Sequence, residues 1–221
     1  LSDSSNGEMT FKKSAVSSNS DAVSAQYIGD SSLASDDESF DINVKQLAAS
    51  QINTGNYLHP RSRLVKAGDY SFDLSINNVT YEFQFSVESS ETLNNIQNKL
   101  ARLINRSNIG LTATIKEDSL GNTAINIESE ATGISGSSPV IFKIEPSQNS
   151  DKTDVSANAA LISTLGLDRV AQYPSNAIFN INDEERSSMN NLVTINKSYA
   201  LELSDVTDNP VTISLKADAD S

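Results

Sequence analysis

Between Asp69 and Thr132 the hydropathy pattern changes period twice, and this constrains the fold more than any other property of the chain. Phe72, Leu74 and Ile76 alternate with polar residues. The alternation resumes after Asn77-Asn78, through Val79, Tyr81, Phe83, Phe85 and Val87. A period of two sets each apolar series on one sheet face. Asparagine tolerates positive φ, so Asn77-Asn78 reads as a two-residue hairpin turn. From Leu93 the period becomes helical. Leu93, Ile96, Leu100, Leu103 and Ile104 make one apolar stripe, with Ser89 or Ser90 placed to cap the free amides. Ile109, Leu111, Ala113 and Ile115 alternate again, Asp118-Ser119-Leu120-Gly121 turns the chain, and Ile125 and Ile127 return it. The stripe more readily packs on these strands than on a partner helix, because the strands need a cover. A sheet-plus-helix unit is specified here without a residue that reads as catalytic.

The flanking regions are strand-like and weaker. Residues 1–37 are serine-rich, with short strands expected at 10–16 and 22–28. Phe40, Ile42 and Val44 alternate, so 39–45 is a strand, and 46–51 leaves it as a turn of helix or an extended segment. Gly55 and Pro60 mark 53–63 as a connector. Beyond Thr132, residues 133–139 read as a loop, Val140, Phe142 and Ile144 as a strand, and 147–154 as polar and exposed. Residues 157–165 have helical character and stop at Gly166. Tyr173-Pro174 marks a second connector. Short strands follow around Ala177–Ile181, Val193–Ile195, Ala200–Leu203 and Val211–Leu215, with a turn over 182–185. The fold class expected is α+β and strand-dominated: two small domains of antiparallel strands with one main covering helix.

Composition removes several function classes. With 221 residues, 37% of them hydrophobic, the chain supports one large domain or two small ones. Its net charge of −13 repels nucleic acid and anionic membranes alike. There is no cysteine, hence no disulfide, thiolate metal site or thiol nucleophile. No apolar run approaches a membrane span and no signal peptide is recognisable. His59 is the single histidine and stands beside Pro60 in a connector, without a serine or cysteine partner motif. Asp36-Asp37-Glu38, Asp183-Glu184-Glu185 and Asp205 with Asp208 are the acidic clusters; none has the alternating ligands and glycine of a calcium loop, and solvated turns explain them. Arg61, Arg63 and Lys66 form one basic cluster, read as solvated linker over a dock for an acidic neighbour. No catalytic, cofactor-binding or metal-ligating residue is assigned, and the chain is expected not to be an enzyme. A chain opening on Leu1 rather than Met reads as part of a longer protein.

Three collinear segments carry a resemblance. The first is Asp41 to Gln51, in which Val44, Gln46, Leu47, Ala48 and Gln51 match a V-x-Q-L-A-x-x-Q pattern. The second runs from Ser71 to Gly133 and includes Glu91-Thr92-Leu93, Leu103-Ile104-Asn105 and Ile109-Gly110-Leu111. The third joins Ala177 to Asn182, Glu185-Arg186-Ser187-Ser188, Asn191-Leu192-Val193-Thr194, Leu201-Glu202-Leu203 and Val211-Thr212-Ile213. The second resembles the "hook IN" motif of flagellins and flagellar hook-associated proteins; all three together resemble the flagellar filament cap protein family, hook-associated protein 2. Where that family has Asn-Gly turns, this chain has Asn77-Asn78 and Asn182-Asp183.

The resemblance implies a structural role at the extracellular tip of the flagellum, in promoting flagellin assembly. It implies flagellin as partner and self-association into a ring in the full-length protein, through coiled-coil terminal regions that this chain lacks. The two outer segments hold short strands needing partners while the middle unit is self-sufficient, so a discontinuous β-rich domain of residues 1–62 plus 169–221 is expected, with an inserted α+β domain of 63–168. Two alternatives stand beside it. One is another flagellin or hook-associated surface protein. The other is an extracellular adhesion module recognising host glycan or mucin as a surface receptor, with Tyr57 or Tyr173 stacking on sugars.

Overall fold

A computed structural model describes residues 13–30, 38–148, 151 and 153–217. It is strand-dominated, with 48% strand and 13% helix, which makes it α+β of the expected kind. Two compact units are formed, one by residues 49–175 and one by 1–48 together with 176–221. We call them the inserted and the discontinuous unit. The elements in chain order are β1 (Lys13–Ser17), β2 (Val23–Tyr27), β3 (Ser39–Gln46), β4 (Ser50–Thr54), β5 (Gly68–Ile76), β6 (Val79–Val87), α1 (Leu93–Ser107), β7 (Leu111–Glu117), β8 (Thr123–Thr132) and β9 (Phe142–Pro146). They continue with α2 (Val155–Leu165), β10 (Val170–Gln172), β11 (Ala177–Ile181), β12 (Glu184–Ser188), β13 (Leu192–Ile195), β14 (Tyr199–Leu203) and β15 (Val211–Ala217).

The inserted unit holds two antiparallel sheets, ordered β10-β4-β8-β7 and β6-β5-β9. Asn77 and Asn78 take φ of 54° and 61°, and Ile76 lies opposite Val79. Positive φ at both central residues gives the mirror-image turn whose twist suits a hairpin. Helix α1 starts two or three residues later than the serines suggested: Thr92 is its N-cap, not Ser89 or Ser90. The Asn95 amide donates to Thr92 Oγ1 at 3.3 Å, and Asn95 Oδ1 accepts from the Thr92 amide at 3.1 Å. This reciprocal pair satisfies two amides of the helix end. The serines are instead spanned by a turn in which the Glu91 amide donates to the Glu88 carbonyl. Leu93, Ile96, Leu100 and Ile104 are buried, each contributing about 2 kcal/mol of transfer free energy. Leu103 is only half-buried, at the rim of the stripe. Helix α2 has Asp154 as N-cap and ends on Gly166 at φ 71°. Its face packs on β5 and β9.

The discontinuous unit holds sheets ordered β1-β15-β3-β11-β12 and β13-β14-β2, again antiparallel. Its core gathers Val23, Ile42, Val44, Phe179, Tyr199, Leu201 and Ile213. Tyr199 meets Tyr27 and Phe40 edge to face, at centroid distances of 5.4 and 5.2 Å.

Several local expectations are corrected. Of the two readings of 46–51, the extended one holds, since Ala49 bridges Ser175 and β4 begins at Ser50. The division between units falls at 48/49 and 175/176, not at 62/63 and 168/169, because β4 pairs with both β8 and β10. The connector at 53–63 is tied down: Leu58 and Thr123 exchange two 2.9 Å backbone bonds. The turn over 182–185 is only Asn182-Asp183, and Glu184 already starts β12. Ser147 and Thr153 are buried, although 147–154 read as exposed. Of the strand expected at 10–16, residues 10–12 lie outside the described residues.

Candidate functional site

The residues that sequence singled out for chemistry are dispersed and occupied locally. His59 is exposed; its Nδ1 accepts from the Arg61 amide at 3.2 Å, inside a turn closed by the Ser62 amide on the His59 carbonyl. The backbone of this basic stretch serves the helix: the Pro60 and Ser62 carbonyls accept from the Asn94 and Leu93 amides at the start of α1. Arg61, Arg63 and Lys66 point into solvent from it. Asp36 and Asp37 lie outside the described residues. Asp183, Glu184 and Glu185 are exposed, with surface pairs Lys45–Glu185 at 3.9 Å and Arg186–Glu184 at 4.0 Å, each worth about 0–1 kcal/mol. Asp205 accepts from its neighbour's amide, Val206, at 2.9 Å. Among the described residues no group of three or more His, Cys, Asp or Glu could hold a metal ion, and no helix is long and apolar enough to cross a membrane. Tyr57 and Tyr173 are exposed and make none of the ring contacts seen among the described residues. The α1 stripe is spent inside the unit, on β7 and β8.

What the resembling segments do contain is a set of side-chain amides acting as strand substitutes. Gln51 is fully buried on β4. Its Oε1 accepts from the amides of Ile141 and Phe142 at 2.7 and 3.0 Å, and its Nε2 donates to the Phe142 carbonyl at 2.9 Å and to Asn53 Oδ1 at 3.0 Å. One side chain thereby fastens the start of β9 to β4. Asn105, near the end of α1, exchanges two bonds with Ala113 on the edge strand β7: Nδ2 donates to the carbonyl at 2.8 Å and Oδ1 accepts from the amide at 2.7 Å. Asn191 does the same to Ala48, at 3.0 and 2.7 Å. A primary amide offers donor and acceptor side by side, as a neighbouring strand does, and so satisfies backbone groups that the ladder leaves over. Gln51, Asn105 and Asn191 are all positions that carry the resemblance. Sequence reasoning assigned none of them a role. The available signal was Gln51 and Asn53 at the two inward positions of β4, where alternation calls for apolar residues.

Removing one clamp tests this account. Asn105→Ala is expected to cost about 1–2 kcal/mol, since it strands a donor and an acceptor on β7. Amide exchange at Ala113 should accelerate well beyond that of Leu111. Unchanged protection at Ala113 would mean that the pairing carries no stability.

Tyr199 presents the opposite case. Its hydroxyl is buried and meets no partner at full hydrogen-bonding geometry. Burial first, then the Glu38 carboxylate, by its charge and as a weak acceptor, push its pKa from near 10 up to about 12. Tyr199→Phe is expected to be neutral or stabilising by up to about 1 kcal/mol, because an unpaired polar atom leaves the core. The sign with pH follows from linkage. A pKa raised in the fold gives stability that is complete below pH 10 and is lost as pH climbs towards 12. Urea midpoints of the wild-type chain should therefore fall more steeply over that window than those of Tyr199→Phe.

No protein-family model and no curated protein matches the chain. Solved structures do. The D2-D3 domains of the flagellar cap protein FliD from Escherichia coli superpose with a TM-score of 0.64 at 18% identity, over 94% of this chain and 100% of that one. The chain has the fold of FliD D2-D3 domains. FliD (HAP2) from Pseudomonas aeruginosa PAO1 gives a TM-score of 0.61 at 18% identity, over 90% of this chain and 86% of the other. Against the Escherichia coli FliD D1-D2-D3 structure the TM-score is 0.63 at 18% identity; 94% of this chain is covered, and it spans 59% of that chain. The solved structures that share this fold are thus those of cap proteins, the family that the three collinear segments resemble.

Proposed function

We propose that this chain is the D2-D3 portion of a flagellar filament cap protein, working at the extracellular tip of the filament to promote flagellin assembly. The observation that carries this reading is the superposition on FliD D2-D3 over 94% of this chain and all of that one, coupled to the ordered segments that include Gln51, Asn105 and Asn191. A cap acts through shape, surface contact and symmetric assembly, so no catalytic residue is required. In this reading the partners are flagellin and further copies of the full-length protein in a ring, and the molecule is not an enzyme. The units then act as domains, the inserted one with its own core, from Tyr70 through Leu167.

The test is complementation of a cap-deficient flagellated bacterium with the full-length protein and its own flagellin. Filament growth with little flagellin leaked into the medium is expected. Continued leakage despite export of folded protein would overturn the capping role.

A further inference from the structure

We infer that the polar face of the sheet β6-β5-β9 is a docking surface for an arginine side chain of a partner protein, seated over Asp73. This does not rest on the flagellar reading.

Pairing sets Asp73 directly opposite Glu82 on β6 and Glu145 on β9. Residues opposite one another share a sheet face, so three carboxylates stand in one row across three strands. Like charges so placed cost stability. A sequence that keeps such a conflict marks a place where something other than the fold is served. Glu82 and Glu145 are relieved by neighbours: Gln84 Nε2 donates to Glu82 at 2.9 Å, and Lys143 Nζ lies 2.7 Å from Glu145. Asp73, half-buried between them, has no side-chain partner among the described residues.

A second, independent observation lies beside it. The Ser147 amide donates to the Ser71 carbonyl at 3.5 Å, so Ser147 continues the β5-β9 ladder two residues past Glu145, on the same face. Its side chain is fully buried and its hydroxyl has no hydrogen-bond partner. Asp73 is its diagonal neighbour across the strands, about 7 Å away by sheet geometry. An unpartnered carboxylate and an unpartnered hydroxyl on one face both call for a donor.

The spacing selects that donor. The carboxylates stand side by side rather than converging, and among the described residues no group of three could hold a metal ion. A guanidinium is broad and planar with five donors, so it bridges adjacent carboxylates and spares an N–H for Ser147; an ammonium is a compact point charge. The face carries four carboxylates, on Asp69, Asp73, Glu82 and Glu145, against the single ammonium of Lys143, which supplies the charge complementarity. A groove of about 260 Å³ adjoins the row, with Asp69, Gln84, Ser86 and Thr153 in its lining, and gives room for the arginine stem and its backbone.

Amide chemical-shift titration of the 221-residue chain to about 1 mM ligand, a range that reaches weak binding, tests the site. The probes are a capped peptide with one arginine flanked by glycines, its lysine counterpart and spermidine. Shifts are expected to gather at Asp73, Glu82, Glu145 and Ser147, with the arginine peptide bound most tightly. Asp73→Asn should weaken it roughly fivefold. The same variant should raise the urea midpoint at low salt, a gain that fades at about 1 M salt as the repulsion is screened. Glu184→Gln removes one charge from the other unit and should leave binding unchanged. Shifts spread evenly over the acidic clusters, an Asp73→Asn chain that binds like wild type, or lysine or spermidine binding as tightly as arginine overturns the inference.

Discussion

Gln51→Leu is expected to destabilise the inserted unit by about 3–5 kcal/mol. Leucine nearly matches the volume of glutamine, so the loss is not that of a cavity. It comes from orphaned groups: the Ile141 and Phe142 amides lose their acceptor, and the Phe142 carbonyl loses a donor. Each unpaired buried backbone group costs about 1–3 kcal/mol, and no strand stands ready to replace the amide, because β9 pairs with β5 and not with β4. Asn53 also loses the donor to its Oδ1, although its Nδ2 keeps the Leu167 carbonyl at 3.0 Å. Urea unfolding of the inserted unit should show a lower midpoint at an unchanged slope. Gln51→Glu separates the two halves of the effect. A carboxylate can accept from both amides but has no donor, and its charge is buried, so it too should destabilise. A leucine variant within about 1 kcal/mol of wild type would mean that water enters and replaces the clamp.

How much of this was legible in the sequence differs from element to element. The run from β5 to β8 was readable because one face of each element packs on the unit's own core, which sets apolar residues in the period of the backbone, although Val79 and Tyr81 of β6 stay exposed. Strand β12 was not, since Glu184–Ser188 lies at a sheet edge and its side chains stay in or near solvent. Strand β10 has three residues and an irregular register against β4, too short for a period to show. The N-cap was misplaced because two serines preceded the threonine that forms the reciprocal pair with Asn95. Two of the three amide clamps were hidden by sequence separation; Asn105 and Ala113 are only eight residues apart. Gln51 meets partners 90 and 91 residues away, and Asn191 meets one 143 residues away. Nothing local distinguishes such an amide from a solvated one, save its place at an inward strand position. The resemblance retained these residues as letters in a pattern; the fold supplies the physical reason for them.

Gly55→Ala carries the second large effect, and it discriminates a tied segment from a loose connector. A Cβ at Gly55 would lie 2.4 Å from the Leu165 carbonyl oxygen and 3.2 Å from that of Ile125. Both neighbours are backbone, and neither is free to yield. The Gly55 amide donates to the Ile125 carbonyl at 2.8 Å, and the Asn56 amide donates to the Leu165 carbonyl at 2.9 Å. Relief of the clash must therefore break a bond to β8 or to the C-terminus of α2, and a loss of about 3 kcal/mol or more is expected. Gly121→Ala is the comparison. Gly121 has φ 81°, but its Cβ would find only Glu117 Oε1, at 3.7 Å. It should pay backbone strain alone, about 1 kcal/mol. Thermal or urea unfolding of the two variants side by side gives the answer. If Gly55→Ala proves as mild as Gly121→Ala, the segment from Gly55 to Leu58 moves freely of β8 and α2, and the connector reading of the sequence was right. If it unfolds the inserted unit, the same variant in the full-length protein should raise flagellin leakage in proportion to the unfolded fraction, which ties the packing of this unit to the proposed work of the cap.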